Sequence, residues 1–159
     1  MRIGYGYDVH PLGPGRKLIL GGVEIPHHKG LLGHSDSDVL VHALCDALLG
    51  AMGEGDLGRH YPSSDRRYKD ISSLKLLEEV VGKLRQKGYR VGNVDTVIVA
   101  QAPRLAGHLA AMTGTIAKTL GVDSGLVNVK VKSGEGLDAV GKEDSMIAHA
   151  VCVIEPISG

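Results

Sequence analysis

"KLILGGVEIPH", residues 17–27, sets two short apolar runs on either side of Gly21-Gly22. A two-residue turn between antiparallel strands needs positive φ, which glycine adopts without steric cost. The spacing predicts a β-hairpin bounded by Gly15 and Pro26. Working outward, "RIGYGYDVH" (2–10) alternates as a strand does, with Ile3, Tyr5, Tyr7 and Val9 on one face and Gly4, Gly6, Asp8 and His10 on the other. The second face is small until it turns polar, and the strand is expected to break at Pro11.

On the other side, "DVLVHALCDALLGA" (38–51) has apolar residues at 40, 44, 47, 48 and 51, a helical period, with Ser35, Asp36 or Ser37 available as N-cap. "SLKLLEEVVGKLRQKG" (73–88) predicts a second helix with Leu74, Leu77, Val80, Val81 and Leu84 in one stripe and Gly88 as its stop. "AGHLAAMTGTIAKTLG" (106–121) is a less regular third. Strands are expected in "NVDTVIVA" (93–100), "VNVKVKS" (127–133) and "SMIAHAVCVIE" (145–155). Strands and helices do not alternate strictly, and one hairpin is present. The expected fold is therefore α+β, an α/β sandwich whose mixed sheet carries helices on one face beside a hairpin. No repeat or linker divides the chain, so one domain over 1–159 is expected.

Composition narrows the function. Eighteen basic and eighteen acidic residues cancel, which removes the electrostatic footprint of a nucleic-acid or membrane-surface binder. "MRIGYGYD" is no signal peptide and no apolar stretch is long enough to span a bilayer, so a cytoplasmic protein is expected, or a plastid one after removal of a transit peptide. Cys45 and Cys152 lie in apolar runs without CxxC spacing and read as core residues in a reducing compartment. Glycine, 23 of 159 residues, is roughly twice its usual share, and Phe and Trp are absent. A core built from aliphatics alone suggests that further surface is buried between subunits.

Asp8 and His10, on one strand face, make half of a metal site. His42, outside the apolar stripe of its helix, is the best third ligand, with Asp38 and Asp46 one turn away on either side to hold its second nitrogen. Two histidines and a carboxylate with an open position suit zinc as a Lewis acid. A single helical histidine is, however, more often a packed residue than a ligand, and "DVHP" also reads as a turn. "GHSDSD" (33–38) sets His34 and Ser35 before a helix N-terminus, where backbone N–H groups favour an anion. "GEGDLGRHYPSSD" (53–65) is a long polar loop in which Asp56 can bind a polyol and Asp65 can equally cap the next helix. Lys132, Ser133 and Gly134 form a plausible phosphate cradle, and Glu135 offers an oxygen to Mg²⁺.

Taken jointly, "DVHPL", "GGVEIP", "KGLLGHSDSDVLVHALCDALLGA", "GDLGRHYPSSD", "GYRVGNVDTVIVAQAPRL", "NVKVKS" and "GEGL" resemble the 2-C-methyl-D-erythritol 2,4-cyclodiphosphate synthase family along essentially the whole chain. The resemblance implies a homotrimer with active sites between neighbouring subunits. It also implies intramolecular phosphoryl transfer, a phosphorus–oxygen lyase reaction of the non-mevalonate isoprenoid pathway. The 2-phosphate of 4-diphosphocytidyl-2-C-methyl-D-erythritol 2-phosphate attacks the β-phosphorus and expels CMP. By matching position, Asp8, His10 and His42 hold Zn²⁺; Asp8, His10, His34 and Ser35 bind substrate, His34 and Ser35 through its phosphate; and His34 and Ser133 stabilise the transition state. Asp56, Leu57, Gly58, Tyr61 and Asp65 line the methylerythritol side. Ala100, Gln101, Ala102, Pro103, Arg104, Leu105 and Ala106 take cytosine through backbone groups. Lys132, Ser133, Gly134 and Glu135, with Ala139 and Lys142, meet the diphosphate, Glu135 holding Mg²⁺ or Mn²⁺. An isoprenoid diphosphate in an axial cavity is a further implied ligand.

The chain departs from the family pattern where Ser37 replaces glycine, Ser133 stands in a usually threonine-rich run, and Ala139 and Lys142 replace Phe and Arg. A lysine cannot reproduce a bidentate guanidinium contact. Two other functions accommodate the same residues. One is a zinc-dependent hydrolase of a nucleotide diphosphate, which would give a linear product. The other is a non-enzymatic trimeric isoprenoid-binding module, which leaves the clustered Asp, His, Ser and Glu unexplained.

Overall fold

The structure is a computed structural model, and it describes residues 1–157. Residues 158 and 159, the end of the expected 1–159 span, lie outside it. The strands are β1 (Arg2–Gly13), β2 (Leu18–Leu20), β3 (Val23–Ile25), β4 (Gly30–Leu31), β5 (Tyr89–Val99), β6 (Val127–Lys132) and β7 (Ser145–Pro156). The helices are α1 (Val39–Met52), α2 (Leu57–His60), α3 (Ser73–Gln86), α4 (Leu109–Leu120) and α5 (Asp138–Gly141). Five strands form one mixed sheet in the order β4-β1-β7-β5-β6, antiparallel except for β5 with β6, and β2–β3 is a separate ribbon. The expected α+β class and hairpin are found, with Gly21 and Gly22 at φ of 58° and 74°.

β1 does not stop at Pro11. Proline lacks a donor but keeps its carbonyl, which accepts from Leu32 N at 2.8 Å, while Leu12 N reaches Asp144 O at 2.8 Å. The strand therefore runs on to Gly13, where it pairs with β4.

The two faces of β1 take opposite environments. Ile3, Tyr5, Tyr7 and Val9 are exposed, at 70%, 60%, 44% and 44%. Gly4 and Gly6 face inward beneath α1, and a Cβ at either would collide with the carbonyl of Ala47 or Ala43. Across the sheet Gly4, Cys152 and Val94 lie in register, as do Gly6, Ala150 and Thr96. Small residues on the two central strands thus let a helix settle directly on the sheet.

That close seating buries α1 nearly all round. Every residue but Asp46 and Gly50 is buried, where the sequence pattern suggested one stripe, because the sheet lies beneath it and α3 alongside. Leu40, Leu44, Leu48 and Leu49 are fully covered, each contributing about 2 kcal/mol of transfer free energy. The N-cap is Asp38 rather than Ser35, Asp36 or Ser37. Its fully buried carboxylate accepts from Val41 N (3.1 Å), Gly21 N (3.0 Å) and Gly22 N (2.7 Å), which ties the hairpin turn to the start of the helix. Among the described residues no helix is long and apolar enough to cross a membrane.

Candidate active site

Strand alternation places Asp8 and His10 on the inner face of β1, and α1, resting on Gly4 and Gly6, brings His42 over them. Asp8 Oδ2 lies 2.9 Å from His10 Nε2 and 3.1 Å from His42 Nδ1, and the two ring nitrogens are 3.1 Å apart. All three line a cavity of about 450 Å³. The sequence expectation for this trio is met as a spatial cluster.

The proton count at the cluster calls for a cation. His10 Nδ1 is 2.9 Å from the Leu32 carbonyl, which can only accept, so that nitrogen carries the proton and Nε2 of the neutral ring is a lone pair. Burial alone would raise the Asp8 carboxyl, but its contacts with His10 and His42 outweigh burial and bring it to about 2. Burial works against the charged ring of His10, yet the Asp8 carboxylate more than offsets this and the His10 pKa is raised. Two imidazole nitrogens and one carboxylate oxygen facing a common point, beside an open cavity, are a donor set that fits zinc.

Neither acid proposed to support His42 does so. Asp38 is engaged at the helix cap, and Asp46 accepts from Leu57 N at 2.7 Å. The second nitrogen, His42 Nε2, instead meets Ser73 Oγ at 2.8 Å and Ser35 Oγ at 3.1 Å. Ser73, the first residue of α3, gave no signal in the sequence because its partner lies 31 positions away.

The 33–36 turn borders the same cavity, through His34 and Ser35. It does so as a loop rather than through a free helix N-terminus, which the Asp38 carboxylate already fills. Two contacts hold the loop. His34 Nε2 donates to Asp65 O at 3.0 Å, and the Arg16 guanidinium donates to the carbonyls of Gly33 (2.7 Å) and Ser35 (2.5 Å). Sequence reading passed over Arg16, since nothing in "GPGRK" marks it as facing that loop.

Asp56, Leu57, Gly58 and Tyr61 of the 53–65 loop line the same cavity, joined by Asp46, Ser63, Tyr68 and Leu76. Asp46 was recognisable, one turn beyond His42, but was given another role. Asp65 is not in the lining. Its carboxylate accepts from Arg67 Nη2 (2.6 Å) and Nε (3.0 Å) and caps the short 3-10 turn Arg66–Tyr68.

The remaining expected residues gather elsewhere. Residues 100–106 follow β5, Lys132 ends β6 and 133–135 follow it. Ala100 N bonds Lys132 O at 2.9 Å, and Gly136 N meets Gln101 Oε1 at 3.2 Å. Ser133 Oγ donates to the Glu135 carboxylate, and α5 brings Ala139 and Lys142 alongside. Leu105 is a core residue, 2% exposed, so within one chain neither its side chain nor its backbone is open to a ligand, contrary to its place in the expected cytosine-binding run. Val9, Ile147 and Val99 lie in register, so this rim shares one end of the sheet with His10. None of its residues lines the Asp8–His10–His42 cavity of the same chain.

Comparison with known proteins follows the same contours. The profile of the YgbB family matches residues 1–155. The 2-C-methyl-D-erythritol 2,4-cyclodiphosphate synthase of Syntrophomonas wolfei is 59% identical over 155 residues, covering 98% of this chain and 99% of the relative. Among solved structures, the bifunctional IspDF of Campylobacter jejuni superposes with a TM-score of 0.94 at 39% identity, over 98% of this chain and 42% of that one. The CDP complex of IspF from Plasmodium falciparum gives 0.87 at 31% identity, over 99% and 97% of the two chains.

Proposed function

The chain belongs to the YgbB family, among the 2-C-methyl-D-erythritol 2,4-cyclodiphosphate synthases, and from that premise we propose how its own residues close the cyclic diphosphate. It is a phosphorus–oxygen lyase of non-mevalonate isoprenoid biosynthesis. It converts 4-diphosphocytidyl-2-C-methyl-D-erythritol 2-phosphate to the 2,4-cyclodiphosphate and CMP. A 2-phosphate oxygen forms the new bond to the β-phosphorus. The bond from that phosphorus to the bridging oxygen breaks, and its electron pair leaves with CMP. The nucleophile is already anionic, so the protein needs no strong base; it must hold two mutually repelling phosphates in line.

In this reading Asp8, His10 and His42 hold a zinc ion, which when bound supplies positive charge to the phosphate oxygens. Ser35 accepts from Ser37 N at 3.1 Å, which leaves its hydroxyl proton to donate to phosphate. His34, whose Nε2–H donates to Asp65 O, borders the cavity, and in its imidazolium form the other ring nitrogen donates to phosphate and stabilises charge in the transition state. Asp56, Leu57, Gly58 and Tyr61 accommodate the methylerythritol, with Asp65 acting through His34.

The cytidyl end is taken by residues 100–106, and the diphosphate with Mg²⁺ or Mn²⁺ by Lys132, Ser133, Gly134 and Glu135, assisted by Ala139 and Lys142. These belong to the neighbouring subunit of a homotrimer. Two observations support that assembly. The rim does not line its own chain's cavity, and the outer face of β1 leaves Ile3, Tyr5, Tyr7 and Val9 uncovered beside Val151. An apolar sheet face of this kind is covered by other copies in a stable assembly. The axial space enclosed by three such faces, apolar with a Tyr5–His149 hydrogen bond of 3.0 Å, is proposed to take an isoprenoid diphosphate. The family match over 1–155 supports reading 1–159 as one cyclodiphosphate synthase domain. Its setting is the cytoplasm, in keeping with two buried free cysteines.

The observation that carries this reading is the convergence of one carboxylate and two imidazoles at a cavity flanked by His34 and Ser35. The test is product analysis by phosphorus NMR with the cytidyl substrate and Mg²⁺. Cyclic diphosphate appearing with CMP is expected. A linear phosphate would instead mark a nucleotide diphosphate hydrolase, and no turnover would leave a binding module.

A further inference from the structure

We propose that Ser73, backed by Asp36, is the positioning residue that turns His42 to face the cation, so that its Nδ1 presents a lone pair to the Asp8–His10 corner. The proposal rests on reading Asp8, His10 and His42 as zinc ligands.

Counting protons leads to it. The Ser73 hydroxyl has one proton, and Asp36 Oδ1, its hydrogen-bond partner, is a carboxylate oxygen that can only accept. The proton therefore goes to Asp36, and Ser73 Oγ has only lone pairs left for its 2.8 Å contact with His42 Nε2. The ring must donate there, which fixes the proton of neutral His42 on Nε2 and the lone pair on Nδ1. Nδ1 is the atom that lies 3.1 Å from both Asp8 Oδ2 and His10 Nε2. Ser35 Oγ, 3.1 Å from the same Nε2, can share that proton without needing its own.

Asp36 is itself held in place. Its Oδ2 accepts from Ser73 N at 3.0 Å, so one carboxylate both starts α3 and sets the hydroxyl, and its Oδ1 also accepts from Asp38 N at 3.1 Å. Ser73 is fully buried and His42 is 8% exposed, so water does not compete for these bonds. His10 is fixed in the equivalent way by the Leu32 carbonyl. The cluster is thus oriented from three directions, by a loop carbonyl, by α1 and by the first residue of α3.

Two measurements test this. Zinc affinity is determined by chelator competition for the wild type and Ser73→Ala. Long-range proton–nitrogen correlation spectra are recorded on zinc-loaded wild-type protein labelled at histidine nitrogen. Ser73→Ala is expected to raise the zinc Kd by about 10–100-fold, the usual cost of losing a hydrogen-bond partner behind a metal-bound histidine. The wild-type spectra are expected to show His42 protonated at Nε2 and metal-shifted at Nδ1. A folded Ser73→Ala protein with the wild-type zinc Kd overturns the proposal, as does a His42 ring protonated at Nδ1. Should Ser73→Ala fail to fold, the wild-type spectra decide alone. Wild-type protein that binds no zinc at all would overturn the ligand reading itself, and Ser73's role with it, a different result from zinc bound equally with and without the hydroxyl.

Discussion

Two polar clusters sit at the same end of one sheet and are built in opposite ways. Around His42, buried or half-buried side chains have partners fixed by β1, α1 and α3: Asp8, His10, Ser35 and Ser73 constrain one another within 2.8–3.1 Å. At the ends of β5 and β6, Lys132, Ser133 and Glu135 are exposed, and the Ser133 side chain bonds only Glu135, two residues on. The difference teaches that preorganisation is divided between the two. The first cluster is finished within one chain; in the proposed trimer the second takes its working position from the neighbour it docks against.

The largest expected effect breaks the finished half. His42→Ala leaves a two-ligand corner, and zinc bound per chain should fall toward zero, with CMP release reduced by at least about 10²–10³-fold. Metal analysis and a CMP assay measure the two together; normal turnover by zinc-free protein would end the comparison. Next comes the link between the halves. Ile3→Lys combined with Tyr5→Lys charges the uncovered sheet face and should give monomers by light scattering that still bind zinc but turn over at least about 10²-fold more slowly, since the rim is then misplaced. Fully active monomers would show that each chain completes its own site.

A smaller effect sharpens the picture of the rim. Glu135→Gln removes one carboxylate oxygen from an exposed divalent site, so the Mg²⁺ concentration for half-maximal rate should rise roughly tenfold while zinc binding is untouched. An unchanged Mg²⁺ requirement would assign that ion to the substrate alone. The smallest effect is on stability. Burial, reinforced by Asp36, raises the Asp38 carboxyl from 3.8 to about 6 despite its three N–H donors. A raised folded pKa means stability that is fully present below 3.8 and lost as pH rises through about 6. The deficit of Asp38→Asn relative to wild type should therefore be about 2 kcal/mol larger at pH 4.5 than at pH 7.5. Urea unfolding at the two pH values reads this directly, and equal deficits would contradict it.

Much of this was legible from the chain, and the reasons are physical. Gly21-Gly22 and the 40/44/47/48/51 period are local signals, and both elements appear. The alternation of β1 paired Asp8 with His10 because strand geometry fixes which side chains share a face. Whatever depends on a distant partner was hidden. Asp38 became the N-cap because the hairpin turn supplies two further N–H donors to its carboxylate. The inward face of β1 proved to be the one that carries Gly4 and Gly6 ahead of Asp8 and His10, because α1 had to approach it. Ser73 and Arg16 act across 31 and 17–19 positions of sequence, beyond any periodicity. The residues taken over from family resemblance fall into two groups in space, a division that no linear motif expresses.

Gly4 and Gly6 bear no functional group, yet the height at which α1 rides above β1 is measured from their bare backbone. An added methyl at either would lift the helix and carry its imidazole away from the other two ligands, spoiling ion capture from a position that touches neither ion nor substrate. Anyone redesigning this catalyst for another metal should therefore treat the floor beneath the helix as an adjustable part, ahead of the ligands themselves.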